Sequence, residues 1–144
     1  MPDKIFFDTN ILVYLSNEDS LFFQEVQKQF NSILNNNVEI WISRQILREY
    51  AVVMTRSEYV EKPLNKIEVL DDLERWQKIF NVADETEDVT NCLMDLIKKY
   101  DLMGKKIHDA NIVATMITKN IPELLTYNIG DFNVFEEIKI KTKK

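Results

Sequence analysis

The opening stretch of the chain, residues 4–15, constrains the possible folds more than any other segment. Its sequence is Lys-Ile-Phe-Phe-Asp-Thr-Asn-Ile-Leu-Val-Tyr-Leu, in which two apolar runs flank a short polar turn. The first run is too short for a buried helix, so the order predicts a buried strand, a turn and a helix. Asp8 then lies at the carboxyl end of the first strand, the edge where open α/β sheets bind ligands. A role as the helix N-cap alone fits the position equally well.

The rest of the chain alternates between strand-like and helix-like segments. Further strands are predicted at residues 38–42, 80–83, 123–127 and 137–140, the last at the edge of the sheet. Amphipathic stretches predict helices at residues 11–15, 20–34, 43–56, 64–80, 86–100 and 108–119. Strands separated by helices favour a parallel sheet with right-handed crossovers. We therefore predict an α/β fold with a central, mostly parallel sheet of four to five strands.

One of these helices leaves an alternative open. The helix at residues 64–80 carries an apolar stripe that could belong to the core or form a surface for a partner. The stripe consists of Ile67, Leu70, Leu73, Trp76 and Phe80.

Composition favours one domain, residues 1–144, and limits the partners of the chain. With 45% hydrophobic residues, two glycines and three prolines, the chain can build a substantial core and has little linker material. Its net charge of −6 argues against a protein that simply coats nucleic acid, because it would repel a polyanion. An enzyme acting on nucleic acid remains compatible, since a bound cation offsets the charge of a carboxylate-lined site.

The single cysteine and the start of the chain indicate where the protein works. Cys92 has no partner for an internal disulfide, so a reducing compartment is the simplest inference. Residues 1–4 lead directly into a strand without a signal peptide, and no apolar run approaches the length that spans a bilayer. We expect a soluble, cytoplasmic protein with no membrane partner.

Three further acids are candidates for the same edge of the sheet as the first one. Glu49 borders the apolar face of the helix after the second strand, Asp109 opens a later helix, and Asp131 follows the fourth strand. Each has an ordinary alternative: an ion pair with a nearby arginine for Glu49, a helix-dipole role for Asp109, and a Gly-Asp turn for Asp131. The only histidine, His108, is expected to be structural.

Carboxylates that meet at one edge of a sheet point to a particular chemistry. Like charges within a few ångströms cannot all stay ionised unaided, so such a cluster requires a cation. An all-oxygen set of ligands favours Mg²⁺ or Mn²⁺ over zinc. A cation held in this way can ionise a water and neutralise charge on a phosphodiester. No glycine-rich nucleotide-binding motif is present. The implied reaction is phosphodiester hydrolysis.

The order and spacing of these residues resemble a known family. The chain is similar to PIN-domain nucleases, and most similar to the VapC-type ribonuclease toxins of toxin–antitoxin pairs. The resemblance covers nearly the whole chain and implies a three-layer α/β/α fold, Mg²⁺- or Mn²⁺-dependent endoribonuclease activity, a homodimer, and a small antitoxin that inserts a segment into the active site. The motifs that carry it are Asp8-Thr9-Asn10, Arg48-Glu49, residues 104–110, Ile112-Val113-Ala114, Thr126-Tyr127-Asn128 and Asp131-Phe132.

The same resemblance implies roles for individual residues. Asp8 and Asp109 would be the principal metal ligands, and Glu49 would complete the ligand set or position the attacking water. Asp131 is taken as the fourth catalytic acid, with Asn128 as the alternative, because an amide cannot supply negative charge. The residues expected to support the site are Thr9, Asn10, Thr126 and Asn128.

Contact with RNA requires local positive charge on this acidic chain. Lys105 and Lys106 are the visible candidates for such a rim, to which Lys98, Lys99 and the tail lysines could add. A solvated loop is the ordinary alternative for each lysine pair.

Two functions from different classes follow from these observations. The first is a metal-dependent endoribonuclease that acts as the toxin of a toxin–antitoxin pair. The second is a non-catalytic PIN-like module that binds RNA or serves as a scaffold, and Asn128 in place of an acid keeps this alternative open. A small-molecule phosphatase fits less well because the chain lacks a phosphate-cradling loop.

Overall fold

A five-stranded parallel sheet organises the molecule, and the computed structural model describes residues 3–141. All four strand pairings are parallel, which confirms the predicted α/β class. In chain order the strands are β1 (Lys4–Phe7), β2 (Glu39–Ser43), β3 (Asn81–Ala83), β4 (Glu123–Leu125) and β5 (Lys139–Ile140). Their order across the sheet is β3-β2-β1-β4-β5, so β1 lies at the centre and β5 at an edge, as predicted.

Helices connect the strands and cover both faces of the sheet. Within the described residues they are α1 (Thr9–Ser16), α2 (Phe23–Asn35), α3 (Arg44–Met54), α4 (Lys66–Ile79), α5 (Glu87–Tyr100), α6 (Lys106–Thr118) and α7 (Ile129–Phe132). The chain moves outward from β1 to β3 through α1–α4 and then returns past β1 through α5 and α6. Right-handed crossovers that run in opposite directions place their helices on opposite faces. The result is the three-layer α/β/α arrangement.

The central strand is fixed by its own side chains and by its neighbours. Phe6 and Phe7 are fully buried, and β1 pairs with β2 on one side and β4 on the other. Phe7 packs edge to face against Phe30 of α2 and against Phe80. A strand that is paired along both edges and buried on both faces holds the residue after it, Asp8, in a well-defined place.

The apolar stripe of α4 divides into a core half and a surface half. Trp76 and Phe80 are buried, and their rings stack. Ile67 and Leu70, nearer the start of the helix, are 70% and 58% exposed. Only the second half of the stripe therefore belongs to the core.

Four helices begin two or three residues away from their predicted starts, and a fifth was not predicted. α1 begins at Thr9 instead of residue 11, and α4 begins at Lys66 instead of residue 64. α2 begins at Phe23 and not directly after Ser20, whose hydroxyl instead accepts a hydrogen bond from the backbone N–H of Phe22. α6 begins at Lys106, two residues earlier than predicted. α7 follows Asn128 where only a turn was predicted, because four residues are too few to show helical periodicity.

Three further features that the sequence analysis considered are Cys92, membrane-spanning segments and the tail lysines. Cys92 is half-buried and packs against the core from α5. Among residues 3–141, no helix is both long enough and apolar enough to cross a membrane. The tail lysines Lys143 and Lys144 lie outside the described residues.

Candidate functional site

A cleft of about 830 Å³ opens where the carboxyl ends of the central strands meet. Three of the four predicted acids line it, and each comes from a different element. Asp8 directly follows β1, Glu49 lies in the middle of α3, and Asp109 lies in the first turn of α6. Asn128, which precedes α7, also lines the cleft. The topology therefore brings together side chains that are up to 120 positions apart in the sequence.

Asp8 is both the N-cap of α1 and a residue of the cleft lining. Its Oδ1 accepts a hydrogen bond from the backbone N–H of Thr9 at 2.8 Å, which makes it the N-cap of α1. Its Oδ2 accepts from the Thr126 hydroxyl at 2.7 Å, at the end of β4. The residue is only 5% exposed, yet it lines the cleft. Capping and a place in the site are thus compatible.

The side chain of Glu49 is held by neutral groups. Its Oε1 accepts a hydrogen bond from the Thr9 hydroxyl at 2.7 Å, and its Oε2 accepts from Nε2 of Gln45 at 2.8 Å. The predicted alternative, an ion pair with a nearby arginine, is wrong because those arginines have other partners. The pairs are Arg44 with Asp84, Arg48 with Glu85 and Arg56 with Glu58.

The turns after β1 and β4 are tied together by the residues predicted to support the site. Asn10 donates from Nδ2 to Oδ2 of Asp8 and to the Thr126 hydroxyl, both at 3.4 Å. Its Oδ1 accepts from the backbone N–H of Tyr127 at 3.3 Å. The backbone N–H of Asn128 donates to the Thr126 hydroxyl at 2.9 Å. Thr9, Asn10, Thr126 and Asn128 therefore lie where a supporting role requires them.

Burial and mutual repulsion make two of the acids hard to ionise. Burial is the largest cause that raises the pKa of Asp8, to about 6, and the charges of Glu49 and Asp131 add to it. The hydrogen bonds from Thr126 and Thr9 oppose that rise. Burial also raises the pKa of Asp109, to about 7, with further contributions from Asp131, Asp8 and Glu49. The four predicted acids are thus near enough to act on one another.

The two residues predicted for the fourth site position differ in where they lie. Asn128 lines the cleft, whereas Asp131 is exposed on α7 and does not line it. The charge of Asp131 nevertheless raises the pKa of both Asp8 and Asp109. Asn128 therefore lies on the lining of the cleft but is neutral, whereas Asp131 lies off the lining but adds negative charge near Asp8 and Asp109.

Cationic and apolar side chains complete the walls of the cleft. Lys105 lines the cleft, whereas its neighbour Lys106 is exposed outside the lining. Only one of the two predicted lysines therefore borders the cleft. His108, which the sequence predicts to be structural, also lines the cleft and is exposed. None of the ion pairs among residues 3–141 joins a lysine or arginine to any of the four acids. The apolar wall consists of Val13, Tyr14, Val52, Val53 and Tyr59.

Sequence reasoning missed two polar residues beside the acids. Gln45 is buried, and its amide contacts Glu49, the backbone carbonyl of His108 and the side chain of Asn111. One signal was present, since Gln45 lies four positions before Glu49 and therefore shares its face of the helix. Nothing in the sequence indicated that Asn111, on α6, would meet them.

A PIN-domain family model matches residues 5–138, which include every acid of the cleft. This chain belongs to the PIN-domain family. Curated proteins gave no match to its sequence.

Several solved structures share this PIN-domain fold at low sequence identity. VapBC2 from Rickettsia felis, bound to a DNA fragment, is 20% identical with a TM-score of 0.74 and covers 96% of this chain and 97% of its own. VapC20 from Mycobacterium tuberculosis, described as a sarcin–ricin loop cleaving toxin, is 18% identical with a TM-score of 0.72 over 96% and 99% of the two chains. A toxin–antitoxin complex from Klebsiella pneumoniae is 23% identical with a TM-score of 0.67 over 97% and 98%. These likenesses confirm the predicted fold.

The donor groups of the PIN-domain cleft suit a hard divalent cation, although they do not form a closed cage. In the part of the chain that the structure describes, no three His, Cys, Asp or Glu side chains converge closely enough to hold a metal ion by themselves. Mg²⁺ is commonly bound through one or two carboxylates and keeps several waters. The crowded carboxylates of Asp8 and Asp109, which form no ion pair with a basic side chain of residues 3–141, fit that mode of binding.

We predict that, without divalent cations, the free energy of unfolding falls as the pH rises from about 4 to about 7. Asp8 and Asp109 have pKa values of about 6 and about 7 in the folded chain, above the ordinary value near 3.9 in the unfolded chain. The folded state therefore binds more protons, and stability is lost on deprotonation. For the buried Asp8 the loss is on the order of 2–3 kcal/mol. Urea denaturation in EDTA at several pH values measures it.

Two variants separate this effect from general changes with pH. Asp8→Asn keeps a capping group but cannot ionise, so its stability should fall less over the same range. Asp71→Asn, at an exposed position on α4, should retain the whole decrease. A decrease that is the same in both variants would show that Asp8 is not its source.

Proposed function

We propose that this PIN-domain chain is a metal-dependent endoribonuclease that hydrolyses RNA phosphodiester bonds. The observation that carries the proposal is the grouping of Asp8, Glu49 and Asp109 in one cleft where no ion pair among residues 3–141 joins them to a basic side chain. A purely structural cluster of acids would be expected to have lysine or arginine partners, because unpaired buried charge is costly. Acids that stay together without such partners suit a site that binds a cation.

The proposal assigns a task to each acid that lines the cleft. Asp8 and Asp109 would hold Mg²⁺ or Mn²⁺, with Glu49 as a further ligand or as the group that orients the attacking water. A cation bound there would neutralise charge on the scissile phosphate and lower the pKa of the attacking water. Thr126 and Thr9 keep the carboxylate of Asp8 oriented through the hydrogen bonds at its two oxygens.

The residues after β4 would complete the catalytic site. Asp131 adds negative charge near Asp8 and Asp109, and we retain it as the fourth catalytic acid. Asn128, on the lining of the cleft, would hold substrate or water through its amide. This division of tasks accounts for an amide at a position where a carboxylate would add further repulsion.

The cleft can accept a nucleic acid strand because its wall is not uniformly acidic. Lys105 supplies positive charge beside the acids, and Tyr59, 58% exposed, offers an aromatic face at the apolar wall. Single-stranded nucleic acids bind through such combinations of backbone charge and base stacking. RNA is proposed as the substrate because the sequence resembles VapC-type ribonucleases and a structure of the same fold is described as a sarcin–ricin loop cleaving toxin.

We further propose that the chain is the toxin of a toxin–antitoxin pair and forms a homodimer. Two structures of the same fold are VapBC2 and a toxin–antitoxin complex, which supports an antitoxin partner for this chain. Co-expression with the product of the adjacent reading frame should yield a stable complex and suppress cleavage. Light scattering on the purified chain should give twice the monomer mass of 17.1 kDa.

Replacing either central acid by its amide should abolish RNA cleavage while the protein stays folded. Asp8→Asn and Asp109→Asn remove a proposed ligand but also relieve repulsion, so their thermal midpoints should equal or exceed that of the unmodified chain. Cleavage of labelled single-stranded RNA in Mn²⁺, with EDTA as the metal-free control, measures activity. Asp71→Asn should cleave normally. If the unmodified chain bound RNA in Mn²⁺ without cutting it, the non-catalytic module would be the better description.

The two adjacent lysines provide a matched pair for substrate contact. Lys105→Ala should weaken RNA binding several-fold and reduce its dependence on salt, because a phosphate contact in the cleft is lost. Lys106→Ala removes the same charge outside the cleft and should change affinity much less. Fluorescence anisotropy with labelled RNA at several salt concentrations measures both. Equal losses would indicate that only the overall charge of the protein matters.

A further inference from the structure

Gln45 lines the cleft where α3 and α6 meet beside its acids. It follows β2 in the first turn of α3 and is only 3% exposed. Its Nε2 donates to Oε2 of Glu49 at 2.8 Å and to the backbone carbonyl of His108 at 2.9 Å. Its Oε1 accepts from Nδ2 of Asn111 at 2.8 Å. Both N–H groups and the oxygen of this amide are therefore in use.

The orientation of the Gln45 amide is fixed by the chemistry of its partners. An ionised carboxylate and a backbone carbonyl can only accept hydrogen bonds, so both require the NH₂ end of the amide. The donor from Asn111 requires the oxygen end. A buried amide whose partners match both of its ends is held in one position, because reversing it would leave buried groups unpaired.

The contacts of Gln45 connect the surroundings of all three acids that line the cleft. Glu49 accepts from Gln45 at one oxygen and from Thr9, the residue after Asp8, at the other. His108, whose carbonyl accepts from Gln45, is the residue before Asp109. A continuous set of hydrogen bonds thus runs from the neighbour of one acid, through Glu49 and Gln45, to the neighbour of the third.

We propose that Gln45 is a positioning residue that fixes the Glu49 carboxylate relative to Asp109 and thereby sets the affinity of the site for a divalent cation. The inference rests on the proposed function. A glutamate side chain has three rotatable bonds, so a carboxylate that must meet a cation gains from being oriented beforehand. Residues that orient metal ligands through hydrogen bonds commonly change metal affinity or activity by about 10- to 100-fold when they are replaced.

The first test replaces Gln45 by methionine, which has a similar length and no hydrogen-bonding amide. Gln45→Met should lower the affinity for Mn²⁺, measured by titration calorimetry without RNA, by about tenfold or more. Gln29→Met is the matched control. Gln29 is also buried, but within the described residues neither polar atom of its amide has a hydrogen-bond partner. The control should bind Mn²⁺ and cleave RNA like the unmodified chain.

A second test, made in a variant that lacks the Glu49 carboxylate, separates a positioning effect of Gln45 on Glu49 from a general loss of structure. In a Glu49→Gln variant the carboxylate is absent, so adding Gln45→Met should change Mn²⁺ affinity by less than about twofold. Loss of affinity by the same factor in both backgrounds would overturn the inference, because Gln45 would then act independently of Glu49. Unchanged Mn²⁺ affinity in folded Gln45→Met would overturn it as well.

If Gln45→Met does not fold, the Asn111→Ala variant serves for the same test. It removes only the donor that orients the Gln45 amide, and should lower Mn²⁺ affinity several-fold in the unmodified background and not in Glu49→Gln. A loss by the same factor in both backgrounds, or no loss in either, overturns the inference. Failure of the proposed function looks different, since the unmodified chain would then bind no Mn²⁺ and cleave no RNA.

Discussion

The carboxylate of Asp8, held at the end of the buried central strand, is the group on which the geometry of the site depends. Its position follows from β1, which is paired on both edges and buried on both faces. Burial opposes its charge and hydrogen bonds from Thr126 and Thr9 favour it, so the balance leaves the pKa near 6. Because β1 is buried and paired on both sides, it holds this carboxylate in one place relative to the other acids.

The raised pKa values of Asp8 and Asp109 mean that ionising these groups opposes folding, and contacts elsewhere in the fold offset that cost. Repulsion among Asp8, Glu49, Asp109 and Asp131 is not relieved by any lysine or arginine pair within the described residues. Compensation comes from elements that do not touch the cleft, such as the aromatic contacts of Phe7 with its neighbours in the core. Functional sites commonly break the rules that stabilise the remainder of a protein.

The position of a site residue that directly follows a strand could be predicted from the sequence. Contacts between side chains that are distant in the sequence could not. Asp8 could be located because a short apolar run ends directly before it, and parallel strands bring their carboxyl ends to one edge. The partners of Glu49 could not be predicted, because the arginines near it in the sequence are chemically suitable partners for a carboxylate. In the structure Arg48 pairs with Glu85, 37 positions away, and Gln45 meets Asn111 across 66 positions. Such contacts depend on how helices pack, which local patterns do not encode.

The overall charge of the chain and the charge at its cleft have different consequences. A net charge of −6 repels a polyanion only through the part of the field that salt does not screen, beyond about 8 Å at physiological ionic strength. Within that distance an RNA phosphate would meet Lys105 and His108 on the wall, together with acids whose repulsion a divalent cation reduces. An acidic protein can therefore act on RNA without a large basic surface, provided that its carboxylates are gathered where a cation can bind. Neutral donors such as Thr9 and Gln45 suit the proposed function, since a lysine or arginine in their place would compete with a cation for the carboxylate of Glu49.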